Sequence, residues 1–138
     1  MTDCLFVYGT LMRAAARVAM GRNMRARLEA DGAWFGAATI GGRLYELGSY
    51  PGLFPSTRSS DRVHGEVYRL HDPSASWVWL DAYEGIPAGR TLSGDEYARI
   101  VAPITLASGT RLEAWVYTMI TEPAASRLIP DGRWRGGV

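Results

Sequence analysis

Two short stretches of this chain carry residue types that could do chemistry: LDAYEG, which holds Glu84, and FVYGTLM, which holds Gly9 and Thr10. In LDAYEG an amphipathic segment ends in a carboxylate, with Leu80 and Tyr83 before it and the helix-stopping Gly85 after it. A carboxylate there meets the negative end of the helix dipole, which favours its protonated form. If Tyr83 and other aromatic residues also dry the site, its pKa rises toward the range useful to a general base near neutrality. The plainer reading is an exposed glutamate at a helix end. FVYGTLM also has two readings. Its glycine and hydroxyl follow a strand-forming run, and they make either a plain strand-to-helix corner or a loop whose backbone N–H groups hold a ligand.

Other chemistries find less support in the residues. His64 and His71 stand seven apart across a strand and its exit, and no HxH or HExxH accompanies them, so both read as structural and no metal is expected. There is no GxSxG elbow for a serine nucleophile and no GxGxxG for a dinucleotide. The chain has no lysine, which excludes a Walker-type phosphate loop and a lysine Schiff base. Cys4 is the only cysteine, so neither an intrachain disulfide nor a thiolate cluster can form. Its apolar neighbours Leu5, Phe6 and Val7 mark it as a small buried side chain rather than a nucleophile. Among the carboxylates, Glu66 lies beside a glycine in a strand and reads as structural or peripheral.

Composition narrows the setting. A chain of 138 residues with 47% hydrophobic content suits one domain with a single core. A net charge of +1 offers nothing to attract nucleic acid or a membrane surface. All fifteen basic residues are arginine, glutamine is absent and Asn23 is the one asparagine, a bias that points to a GC-rich, bacterial genome. The start of the chain lacks a basic region followed by a long apolar one, and no apolar run approaches the roughly 18 residues of a membrane span. The expected location is the cytoplasm.

The elements that must position these residues can be read in outline. Residues 4–8 form a continuous apolar run, the pattern of a buried strand. Met12 to Leu28 is rich in helix formers, split by Gly21 into two short helical pieces, with Arg13, Arg17, Arg22, Arg25 and Arg27 forming a solvated face. Gly32 to Leu47 fits two strands or one strongly bent strand, and GSYPGLFPS reads as an irregular loop. Val63 to Leu70 is a strand whose GEVYRL echoes GRLYEL at 42–47, as twin strands of one sheet would. Asp72 and Pro73 start a helix that runs to about Glu84. EYARIVAPITL and RLEAWVYTM form a hairpin, in which Pro103 implies an edge or a bulge. The tail holds a short helix and a polar ending. The sum is an α+β fold: a compact, mainly antiparallel β-barrel or curved sheet with a few short helices.

The segments FVYGTLM, YELGSYPGL, GEVYRL, WLDAYEG, EYARIVAPI and EAWVYTM occur in the order and spacing of γ-glutamylcyclotransferase-like proteins. That group includes AIG2-like proteins and γ-glutamylamine cyclotransferases. The resemblance runs from Cys4 to Tyr117, and GRWRGG is similar to the usual C-terminal ending. YGTL alone is a weak signal, but YGTL followed by LDxYEG is specific.

The resemblance implies a barrel with a cavity at one side, where Tyr8, Gly9, Thr10 and Leu11 present backbone N–H groups to a glutamyl moiety. The helix beginning near Met12 would add its positive end. Glu84 matches the catalytic acid/base. Tyr50, Pro51 and Gly52 match a segment lining the cavity, and Tyr97 and Arg99 match a YxR at the head of a strand. Arg99 then either holds a substrate carboxylate or sits in a structural ion pair, and Tyr117 either faces the pocket or joins the core. The implied reaction closes a γ-glutamyl group to 5-oxoproline and releases an amine or amino acid, with no cofactor. The partner is a small γ-glutamyl molecule, and the protein is a monomer or homodimer. This chain departs from the family in carrying Arg13 and three alanines after YGTL, where a glycine is common, which bears on the leaving group. A rival reading is a non-catalytic binding module for a γ-glutamyl or acidic metabolite.

Overall fold

The computed structural model describes residues 2–88 and 92–136. Strand β1 (Cys4–Val7) is buried at every position, as an apolar run must be when both its edges are paired. It pairs antiparallel with the later strand Arg62–Leu70 and parallel with Arg111–Met119. After β1 come a single 3-10 turn at Arg13–Ala15 and helix α1 (Arg22–Asp31). Gly21 precedes α1 at φ 78°, a left-handed conformation that suits glycine.

Strand β2 (Gly32–Glu46) is one long bent strand, with a bulge between Trp34 and Gly36. Its first part pairs with β4 (Arg62–Leu70), and its second part pairs with β3 (Pro51–Pro55). Pro51–Pro55 is therefore a strand where an irregular loop was expected. Its prolines stand at its two ends, opposite Glu46 and Gly42, and β3 is an edge strand that needs partners on one side only.

Helix α2 (Pro73–Tyr83) starts and stops as expected, with Glu84 at its C-cap and Gly85 at φ 79°. Asp72 occupies the N-cap position, but its side chain makes no capping hydrogen bond. Asp31, the last residue of α1, accepts from Trp79 Nε1 at 2.8 Å and Ser76 Oγ at 3.3 Å, which ties α2 to α1.

The hairpin is β5 (Tyr97–Leu106) and β6 (Arg111–Met119), in unbroken register. Pro103 pairs with Glu113 and causes no bulge; the ladder from β5 to β2 begins just beyond it, at Ile104 opposite Ile40. That last ladder closes the order β2-β4-β1-β6-β5 into a mixed barrel of five strands. The tail adds β7 (Leu128–Ile129) to the end of β2.

Leu5, Phe6, Leu44, Leu53, Val63, Val67, Ile104 and Val116 are almost wholly buried and form much of the core. Each such side chain contributes roughly 1.5–3 kcal/mol of hydrophobic stabilisation. Cys4 is buried as its neighbours predict, and burial raises its thiol pKa. Among the described residues no helix is long and apolar enough to cross a membrane.

Candidate active site

The loop after β1 and the end of α2 meet at a cavity of about 580 Å³. Phe6 to Leu11 form one wall, Tyr83 to Gly85 a second, and Asp95 to Tyr97 a third, with Met20, Tyr50, Pro51 and Tyr117 completing it. Of the residues singled out from the sequence, Tyr8, Gly9, Thr10, Leu11, Tyr50, Pro51, Glu84, Tyr97 and Tyr117 are brought together here. Gly52 and Arg99 are not among the lining residues. A side chain at Gly52 would run into Met119 and Leu47, so this glycine serves packing behind the wall.

The YGTL loop is stitched in place by hydroxyls. Tyr8 Oη donates to the Tyr117 carbonyl at 2.6 Å and accepts from the Leu53 N–H at 3.3 Å. Tyr97 Oη donates to the Pro51 carbonyl at 2.8 Å, and Thr10 and Tyr83 share a hydroxyl hydrogen bond of 2.7 Å. Gly9 does not need a left-handed backbone. It needs the absence of a side chain, because a Cβ there would lie 2.8 and 2.9 Å from the Pro51 ring. Among the described residues, no acceptor takes the backbone N–H of Gly9, Thr10 or Leu11. Three successive unused donors beside a cavity make a concavity suited to an anion.

The expected support from a helix start near Met12 is absent. Residues 13–15 make only one 3-10 turn, and the N–H groups of Arg13 and Ala14 donate to Glu66 at 2.6 and 3.2 Å. Glu66 also accepts from Trp34 Nε1 at 3.2 Å. Its role is to cap that turn from β4.

Arg25 also departs from expectation. It is buried rather than solvated, and its guanidinium donates to the carbonyls of Thr10 at 2.6 Å, Met20 at 2.9 Å and Val18. These carbonyls come from the irregular segment that leads out of the YGTL loop, so Arg25 braces the loop from behind. No local pattern marks it among its four exposed arginine neighbours.

Glu84 faces the cavity with part of its surface, and among the described residues no donor hydrogen-bonds its carboxyl. Burial, then the charges of Glu96 and Asp81, push this carboxyl up to about 8. Of the two causes expected from the sequence, the helix end and the drying of the site, desolvation is the dominant one. Burial also raises the phenols of Tyr8, Tyr50, Tyr83, Tyr97 and Tyr117, which stay neutral around it. A carboxyl near neutrality can both take and give a proton at physiological pH.

Beneath this floor, Arg99 donates to both oxygens of Asp81, at 2.8 and 3.2 Å, and Tyr117 Oη donates to Asp81 at 2.6 Å. Of the two expected roles for Arg99, the structure shows the ion pair. Asp81, Glu96 and Met20 are site-region residues that the sequence did not single out; the only signal was that Asp81 lies in the same LDAYEG motif as Glu84.

The closed mixed barrel with two short helices has solved AIG2-like folds as its structural neighbours. The chain matches the family described as gamma-glutamyl cyclotransferase, AIG2-like, over residues 5–136, and it belongs to that family. A Vibrio cholerae protein provisionally named a gamma-glutamylcyclotransferase is 35% identical over 91 residues, covering 66% of this chain and 64% of that protein. The crystal structure of an AIG2-like protein from Mus musculus has a TM-score of 0.71 at 20% identity, covering 96% of this chain and 88% of that one. YkqA from Bacillus subtilis has a TM-score of 0.66 at 22% identity, covering 97% of this chain and 40% of that one. The chain thus spans less than two thirds of the Vibrio and Bacillus proteins, and the two structural likenesses concern the fold.

Proposed function

We propose that this protein is a γ-glutamyl cyclotransferase that converts the γ-glutamyl group of a small substrate into 5-oxoproline and releases an amine. One observation carries the reading: Glu84, a desolvated carboxyl, shares a cavity with the N–H groups of Gly9, Thr10 and Leu11, and among the described residues none of these groups has a hydrogen-bond partner. The loop holds the substrate's α-carboxylate, while Glu84 meets its α-ammonium. Glu84 takes a proton from that ammonium, and the freed amine attacks the γ-carbonyl carbon. A new C–N bond closes the five-membered ring, the attacking nitrogen gives up a second proton to become the lactam N–H, and as the old amide C–N bond breaks the departing nitrogen receives both protons by way of Glu84 and leaves as an ammonium. The balance closes with the substrate and one carboxyl. Holding the chain folded for ring closure is worth up to roughly 7–11 kcal/mol.

Family membership supports this chemistry, and the lining supports a class of leaving group. The described lining residues include Glu84 and Glu96 and no arginine, lysine or histidine. A leaving amine without a carboxylate suits such a wall better than an amino acid or peptide. The test is release of 5-oxoproline from a panel of γ-glutamyl amines, amino acids and peptides. Tight binding across the panel with no 5-oxoproline would favour the binding-module reading instead.

A further inference from the structure

We propose that Arg99 and Asp81 are a positioning pair for this reaction, which sets the electric field at Glu84 and fixes Tyr117 as a wall, although neither lines the cavity. The inference rests on the reading of Glu84 given above. Three elements converge to make the pair. Asp81 lies on α2 one turn before Glu84, on the same helix face. Arg99 on β5 and Tyr117 on β6 are direct cross-strand partners, and both donate to Asp81. The Arg99 guanidinium is buried between two indole rings, 4.1 Å from the Trp77 centroid and 4.5 Å from the Trp115 centroid.

A buried ion pair is a weak source of stability, because desolvation offsets much of the attraction. Apolar side chains of similar volume would fill the same space. What they could not supply is charge control next to a proton-carrying carboxyl. The Asp81 charge favours the protonated form of Glu84, and a guanidinium bound to both Asp81 oxygens weakens that charge at its source. From the other elements around the cavity come Asp95 and Glu96 and the neutral phenols of Tyr8, Tyr50, Tyr83, Tyr97 and Tyr117. Among the described residues Arg99 is the cation paired with Asp81, and through that pair it moderates the charge felt at Glu84. Because Tyr117 Oη donates to Asp81, its hydroxyl is engaged by that carboxylate and its ring holds still.

The experiment is a carboxyl-carbon NMR titration of Glu84 in ¹³C-glutamate-labelled protein, paired with the pH profile of kcat/KM on a γ-glutamyl amine. Wild type is compared with Arg99→Met, Asp81→Asn and the double variant. Arg99→Met should move the Glu84 titration and the acid limb upward by about one pH unit or more, and Asp81→Asn should move both downward. The double variant should return toward wild type, and Arg99→Lys should restore part of the position. If Arg99→Met fails to fold, the double variant against Asp81→Asn reads the same charge, with the double at the higher pH. A Glu84 titration that stays at the wild-type pH in all variants, whatever their loss of rate or Tm, would overturn the proposal. A titration that moves as expected in a protein that makes no 5-oxoproline would instead overturn the reading of the reaction.

Discussion

The Thr10 hydroxyl lies 2.7 Å from the Tyr83 hydroxyl, which joins the YGTL loop to the residue immediately before Glu84. The two working parts of the site are thereby held at a fixed distance by a contact 73 residues apart in sequence. Tyr83→Phe removes the bond and keeps the ring. Turnover should fall roughly tenfold while unfolding free energy drops by only about 1 kcal/mol, because misplaced reacting groups cost more than one hydrogen bond. Steady-state kinetics and denaturant titration together check this. A loss of stability with normal kcat would make the contact a fold element only.

Gly9 should tolerate no side chain, for the reason that Pro51 occupies the space. Gly9→Ala should cost about 1–3 kcal/mol by overpacking, and Gly9→Val more, along with activity. Gly9→Ala combined with Pro51→Ala should recover part of the lost Tm. If the pair is no better than Gly9→Ala alone, Pro51 is not the obstacle.

Glu84 should make the wild-type protein less stable at high pH. Its folded pKa of about 8 lies above its ordinary value of 4.5, so the native state keeps a proton that the unfolded chain has already released. Wild-type stability contributed by this group is therefore present below about pH 4.5 and is lost as pH rises through about 8. Glu84→Gln lacks this dependence. Its Tm advantage over wild type should grow between pH 4.5 and 8 and then level off, reaching on the order of a few kcal/mol. Melting curves at pH 5 and pH 8.5 settle the sign.

How much of this could be read from the sequence depended on how local the signals were. The strand-loop at 4–11 and the helix with its Asp72-Pro73 start and Gly85 stop were legible, because caps, glycine and apolar runs act over a few residues. They placed Glu84 correctly at the end of α2. Arg25 was not legible, and for Arg99 the ion pair was anticipated but not its partners, since each is defined by distant segments: three loop carbonyls for one, Asp81 and two indoles for the other. Strand β3 was missed because its two prolines imitate a loop, while its pairing to β2 is set by the barrel.

Glu66→Gln should behave oppositely to Glu84→Gln. Glu66 accepts three N–H donors, and an amide turns one acceptor oxygen into a donor facing them. Stability should fall by about 1–3 kcal/mol, with turnover per folded molecule retained. A stable but inactive Glu66→Gln would give this residue a part in the chemistry.

A γ-glutamyl amine should be a better substrate than the γ-glutamyl amino acid of matching length, since the described lining residues include Glu84 and Glu96 and no cation. A tenfold or greater preference in kcat/KM corresponds to about 1.4 kcal/mol. Equal values, or a preference for the amino acid, would show that the acidic wall does not meet the leaving group.

The central claim is that Glu84 moves the proton during ring closure. It is tested most directly by measuring 5-oxoproline release by wild type and Glu84→Gln on the same γ-glutamyl amine, alongside binding of a non-cyclisable analogue. Glutamine keeps the size and helix position but cannot accept the proton. The account predicts a loss of kcat of roughly 10²–10⁴-fold or more, with most of the analogue binding retained. A Glu84→Gln protein that still releases 5-oxoproline within tenfold of the wild-type rate would contradict it.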